Sequence, residues 1–133
     1  MGIYIIKSKY NNWIKIGHHK VTKRKPNAYF RYINRGFYSC SCPKEIEDKV
    51  SFNDLELIYW FPNLNIKIER ELHLYLKNNK TLYLCNKGEW YNELNIDKIK
   101  NILEKQYNGV IYKLNENDLL LAQTWCKKIN KNI

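Results

Sequence analysis

Two glutamates, Glu69 and Glu71, and a histidine, His73, fall close together in a segment with helical periodicity. Carboxylate oxygens are the ligands that Mg²⁺ or Mn²⁺ takes, and because such an ion keeps most of its waters, one carboxylate can be enough. At about 100° per residue, the two glutamates lie on opposite borders of the apolar stripe formed by Ile68, Leu72, Tyr75 and Leu76. Geometry alone does not choose between them. His73 follows Glu69 by one helical turn, where it can orient that carboxylate or donate to a phosphate. Near the start, Tyr4 and Lys15 lie on two neighbouring apolar segments. A free phenol titrates near 10, and a cation on the adjacent strand would favour the phenolate, making Tyr4 a better acceptor for the proton of a water. Arg24, Arg31 and Arg35 each offer a planar guanidinium that can donate two parallel hydrogen bonds to a phosphate. The densest positive patch is His18, His19, Lys20, Lys23, Arg24 and Lys25, a run suited to gripping a nucleic-acid backbone without reading its sequence. An activated water, a charge-stabilised phosphate and help for the leaving oxygen are the requirements of phosphodiester hydrolysis.

The elements that must position these groups are legible in outline. The runs GIYIIK (residues 2–7) and WIKIG (residues 13–17) read as strands, and the polar residues 9–12 between them fit a hairpin loop. Tyr4 and Ile6 then share one face, while Lys15 shares a face with Trp13 and Gly17, opposite Ile14 and Ile16. Pro26 and Asn27 can open a helix over residues 28–34, which Gly36 closes. A short strand is expected at residues 37–42, a stronger one at residues 55–61, and another at residues 81–85. Asn63 or Asn65 can cap the helix that carries Glu69 and runs to about Lys77. Two more helices are expected at residues 96–106 and about 117–129. The order argues for an α+β domain built on a small three-stranded antiparallel sheet flanked by helices.

Composition agrees with a nucleic-acid partner. Against 13 Asp and Glu stand 23 Lys and Arg, a formal net charge of +10, which raises the local concentration of any polyanion. A codon bias toward Lys, Asn, Ile and Tyr would produce part of this excess regardless of function. There is no leader-like or membrane-spanning run, and Cys40, Cys42, Cys85 and Cys126 do not have zinc-knuckle spacing. Free thiols in an intracellular protein, cytoplasmic or nuclear and not secreted, are therefore expected, with no membrane partner.

Four short motifs occur in a consistent order: G-I-Y at residues 2–4, K-I-G at residues 15–17, E-x-x-L-H at residues 69–73 and G-E-W-Y at residues 88–91. Together they resemble the GIY-YIG nuclease superfamily, in the branch, rich in phage and giant-virus members, whose second half-motif reads K-I-G. Lys15 stands where the name-giving members carry tyrosine. The resemblance covers residues 1–94, leaving residues 95–133 as a helical extension that covers the sheet or mediates homodimer formation. It implies a metal-dependent endonuclease acting on nucleic acid, DNA favoured over RNA. Tyr4 would be the general base with Lys15 beside it, Arg31 the phosphate-binding arginine, Glu69 the ligand of Mg²⁺ or Mn²⁺, and His73 an auxiliary catalytic group. Glu89 takes a structural position in this reading, Trp90 belongs to the core, and Asn92 stands in for a late polar residue of the family. The alternative is a catalytically silent nucleic-acid-binding module on the same scaffold; a host-interaction protein with a merely basic composition is a third reading.

Overall fold

A computed structural model describes residues 1–33, 37 and 42–131. Strands β1 (Gly2–Ser8) and β2 (Trp13–His19) form an antiparallel hairpin in which Tyr4 faces Gly17 and Ile6 faces Lys15. Successive strand residues point to opposite faces. Accordingly Ile3, Ile5, Ile14 and Ile16 enter one core, and Tyr4, Ile6 and Trp13 enter a second. Both faces are covered, so the hairpin is buried almost continuously instead of on alternate residues. Strand β3 (Leu55–Phe61) pairs with the other edge of β1, with a register shift between Ile5 and Ile6.

The sheet has five strands, not the three expected. Strands β4 (Cys85–Lys87) and β5 (Trp90–Asn92) form a second hairpin, and β5 adds to β2, giving the antiparallel order β3-β1-β2-β5-β4. Each added strand is three residues long and β4 is wholly exposed, so neither carries a periodic signal. The strand expected at residues 81–85 is also corrected: Lys80–Leu82 closes a short 3₁₀ turn, and pairing begins only at Cys85. Of the strand expected at residues 37–42, Phe37 is a buried turn residue, and residues 38–41 lie outside the described residues, as do Asn34, Arg35 and Gly36. The α+β class holds.

Helix α1 (Tyr29–Ile33) opens where the Asn27 side chain accepts the Tyr29 N–H at 3.0 Å, and it buries Tyr32 against the Tyr4 face and Phe30 in a separate small cluster. Helix α2 (Ile66–Lys77) is capped by Asn65, whose side chain accepts from the Ile68 N–H at 3.1 Å. Asn63, the other candidate cap, instead ties down the Asn108 carbonyl and the Val110 N–H. Asn65→Ala is therefore expected to cost about 1 kcal/mol, read as a lowered thermal midpoint, whereas loss of Asn63 should leave α2 intact. Leu72 and Leu76 pin α2 onto the isoleucine face, and this sets Glu69 and His73 against the end of β2. Helix α3 (Ile96–Gln106) adds Ile99, Ile102 and Leu103 to the same core, while α4 (Glu116–Lys131) seats Ala122 and Cys126 beside Phe30 of α1. No helix among the described residues is long and apolar enough to cross a membrane.

Candidate active site

Strand β2 outruns β5. Their pairing covers Trp13 to Lys15, and the last bond between them runs from the Ile16 N–H to the Glu89 carbonyl at 3.0 Å. Past that point Gly17, His18 and His19 keep β1 as their only ladder partner among the described residues. Tyr4, Lys15, Arg31, His18, Glu69 and His73 gather at this corner, some from each face of the sheet.

On the α1 face the Tyr4 ring lies across Gly17. A Cβ on Gly17 would stand 2.4 Å from the Tyr4 hydroxyl oxygen and 2.5 Å from its Cζ, so the ring occupies the space that any side chain there would need. Phe37 stacks beside Tyr4 at 6.2 Å between centroids. The Lys15 ammonium sits 5.8 Å from the Tyr4 ring centroid, 5.0 Å from that of Phe37, and 3.1 Å from Oε1 of Glu89. The Arg31 guanidinium stands near enough to the Tyr4 hydroxyl to pull its pKa down. Among the three arginines considered, this one reaches Tyr4; Arg24 lies on an exposed loop and Arg35 is outside the described residues.

Burial pushes the Tyr4 phenol above its ordinary range, and it outweighs the downward pull of Lys15 and Arg31. Lys15 makes the phenol more acidic, as expected of a cation on the adjacent strand, without deciding the net direction. In a tyrosine only 1% exposed, the phenol loses more from desolvation than two nearby cations return.

On the opposite face Glu69 projects from the first turn of α2 and is 4% exposed. Its Oε1 is 3.4 Å from Nδ1 of His18, and its Oε2 is 3.5 Å from Nε2 of His73. Glu71 is exposed, so tertiary packing makes the choice of buried carboxylate that helical spacing left open. His73 donates from Nδ1 to the Tyr91 hydroxyl at 2.6 Å and from Nε2 to the Ile16 carbonyl at 3.1 Å. Burial opposes its charge, but the hydrogen bonds and charges of Glu69 and Glu89 prevail and raise its pKa to about 9. At neutral pH His73 is an imidazolium with both nitrogens committed, a positioning residue for the two carboxylates.

Glu89 joins the two faces. Gly88, at φ 58°, makes the tight turn between β4 and β5, and Glu89 follows it at the head of β5. One carboxylate oxygen meets Lys15 on the Tyr4 face, and the other lies 3.7 Å from His73 on the α2 face. Despite burial, His73, Glu69 and Lys15 hold this carboxyl well below the usual range, so it is ionised. Read from sequence, Glu89 takes a structural position; the structure adds its ion pairs with Lys15 and His73. The signal available was an acidic residue directly after a turn glycine, beside a buried tryptophan.

The paired histidines separate. His18 turns toward Glu69, and its nitrogen together with one oxygen each of Glu69 and Glu89 lie within 4.8 Å of one another. His19 points the other way, buried beside Trp60, with Nε2 donating to the Lys25 carbonyl at 3.2 Å. Desolvation lowers its pKa, which keeps it neutral, so His19 shapes the basic loop from inside and has no surface to offer a backbone. Lys20, Lys23, Arg24 and Lys25 are exposed along that loop. Asn92 lies at the far end of β5, opposite Trp13 and away from the cluster. Trp90 is fully buried.

Comparison of the chain with protein-family models, with curated proteins and with solved structures finds no match in any of the three.

Proposed function

We propose that the chain is a metal-dependent endonuclease of GIY-YIG type that hydrolyses phosphodiester bonds, in DNA rather than RNA. The observation that carries the reading is the convergence at one sheet corner of a hydroxyl flanked by two cations and a pair of carboxylates joined to it through Lys15. Tyr4 takes the proton of the attacking water. Arg31, the cation beside the same hydroxyl, carries the negative charge of the phosphate, a role suited to its fork of donors. Lys15 favours the phenolate and holds Glu89 in line. His73 keeps Glu69 and Glu89 oriented. Glu69 is the ligand for a divalent ion, and such an ion supplies charge stabilisation at the phosphate and its leaving oxygen. Lys20, Lys23, Arg24 and Lys25 grip the backbone, so affinity falls steeply with salt.

The test is cleavage of supercoiled plasmid with Mg²⁺ or Mn²⁺ and with chelator. Metal-dependent nicking supports the reading, and intact plasmid under every metal ends it. A pH profile follows from Tyr4. Because its phenol titrates above its ordinary 10, the phenolate fraction grows about tenfold per pH unit across neutral and mildly alkaline pH. The cleavage rate is therefore expected to climb with near-unit slope up to about pH 10, and Tyr4→Phe should flatten that climb. A bell with its maximum near neutrality would remove Tyr4 from the base role. The near-complete burial of Tyr4 favours one second reading, a catalytically silent nucleic-acid-binding module. It requires salt-sensitive binding without metal, unchanged in Glu69→Ala.

A further inference from the structure

We infer that His18 and Glu89 complete, with Glu69, a three-ligand site that selects a first-row transition ion such as Mn²⁺ over Mg²⁺. The inference deepens the endonuclease reading, since it rests on Glu69 as a metal ligand, but its tests read ion binding and not cleavage.

Three donors from three different elements come together: an imidazole nitrogen from β2, a carboxylate from the first turn of α2, and a carboxylate from the head of β5. Their ligand atoms lie within 4.8 Å of one another, and the His18 nitrogen is 3.4 Å from Glu69. Around an ion with bonds of about 2.1–2.2 Å, adjacent ligands are about 3 Å apart and opposite ones about 4.3 Å, so small side-chain movements close the site. Accessibility is graded as a catalytic ion requires. Glu69 forms the floor with its side chain 6% exposed, while His18 at 36% and Glu89 at 44% leave the outer side open to water or phosphate. Outer partners are present as well: His73 borders both carboxylates, and Lys15 holds Glu89.

The nitrogen decides the metal. Mg²⁺ demands oxygen donors and gains little from an imidazole, whereas Mn²⁺ and later ions of its row accept nitrogen and carboxylate together. With Glu69 alone, or Glu69 and Glu89, the site would discriminate weakly. His18 is what supplies selectivity.

The test is calorimetric titration of the chelator-stripped full chain with Mn²⁺ and, separately, Mg²⁺; Mn²⁺ is chosen because it has little affinity for thiols such as that of exposed Cys85. Mn²⁺ should bind at one site at least about tenfold more tightly than Mg²⁺, and His18→Ala should bring the two affinities together. In the unaltered chain, substoichiometric Mn²⁺ should broaden the His18 ring resonances before those of His19, a readout that needs no variant. Equal affinity for the two ions, a preference that survives in His18→Ala, or His19 broadening first would each overturn the inference while leaving Glu69 as a ligand. Failure of either ion to bind at millimolar concentration would overturn both, and the cluster would then be an ion-pair network alone.

Discussion

Glu69→Ala is expected to lower metal-dependent nicking of supercoiled plasmid by about a thousandfold or more, with the protein still folded. Glu69 is the most buried acidic donor at the corner, and the only carboxylate there whose two oxygens both meet histidines on its own face of the sheet. Without it the one carboxylate left for an incoming ion in the His18–Glu69–Glu89 group is Glu89, which Lys15 already engages. The helix survives because its hold on the sheet comes from Leu72 and Leu76 and its start from the Asn65 cap. A cost of about 1–3 kcal/mol is expected, because His18 and His73 lose their shared acceptor. A second readout separates this loss from misfolding. His73, held at about 9 partly by Glu69, should titrate nearer the ordinary histidine range in Glu69→Ala, visible in its ring resonances. Cleavage by the variant at the parent's rate would remove Glu69 from the chemistry.

Gly17→Ala is expected to destabilise the protein by about 1–3 kcal/mol and to reduce cleavage far more than nucleic-acid binding. The added methyl would overlap the Tyr4 ring at 2.4 Å and 2.5 Å, and neither side yields easily. Gly17 sits in the middle of a ladder directly opposite Tyr4, and the ring is stacked on Phe37 with Arg31 near its hydroxyl. The ring must therefore leave its place over the sheet corner, taking its hydroxyl away from Arg31, while the basic loop at residues 20–25 stays as it was. Chemical denaturation gives the first quantity; plasmid nicking beside a salt-dependent binding assay gives the other two. An equal fall in binding and cleavage would mean that Tyr4 has no separate role in the chemistry.

Those two residues also mark where sequence reading succeeds. Strand alternation is local, so the placement of Tyr4 with Ile6, and of Lys15 with Trp13 and Gly17, was legible from residue order. Helical spacing likewise put Glu69 and His73 one turn apart, and the apolar stripe showed which side of α2 would face the sheet. The α+β class follows from the same periodicities. The choice between Glu69 and Glu71 does not, because both border the stripe and only the packing angle of α2 on β2 buries one of them.

What tertiary structure alone decided is long-range. Glu89 comes from the tip of a hairpin with three-residue strands, too short for any period to show, and reaches Lys15 across 74 residues of chain. His18 and His19 look like one basic pair in sequence. Placed at the end of a strand covered on both faces, they point apart, one to Glu69 and one into the core beside Trp60. The sign of the shift at Tyr4 belongs to the same class. A neighbouring lysine can be read from a hairpin register, but the desolvation that outweighs it is a property of the whole packed core, and no local pattern of residues encodes it.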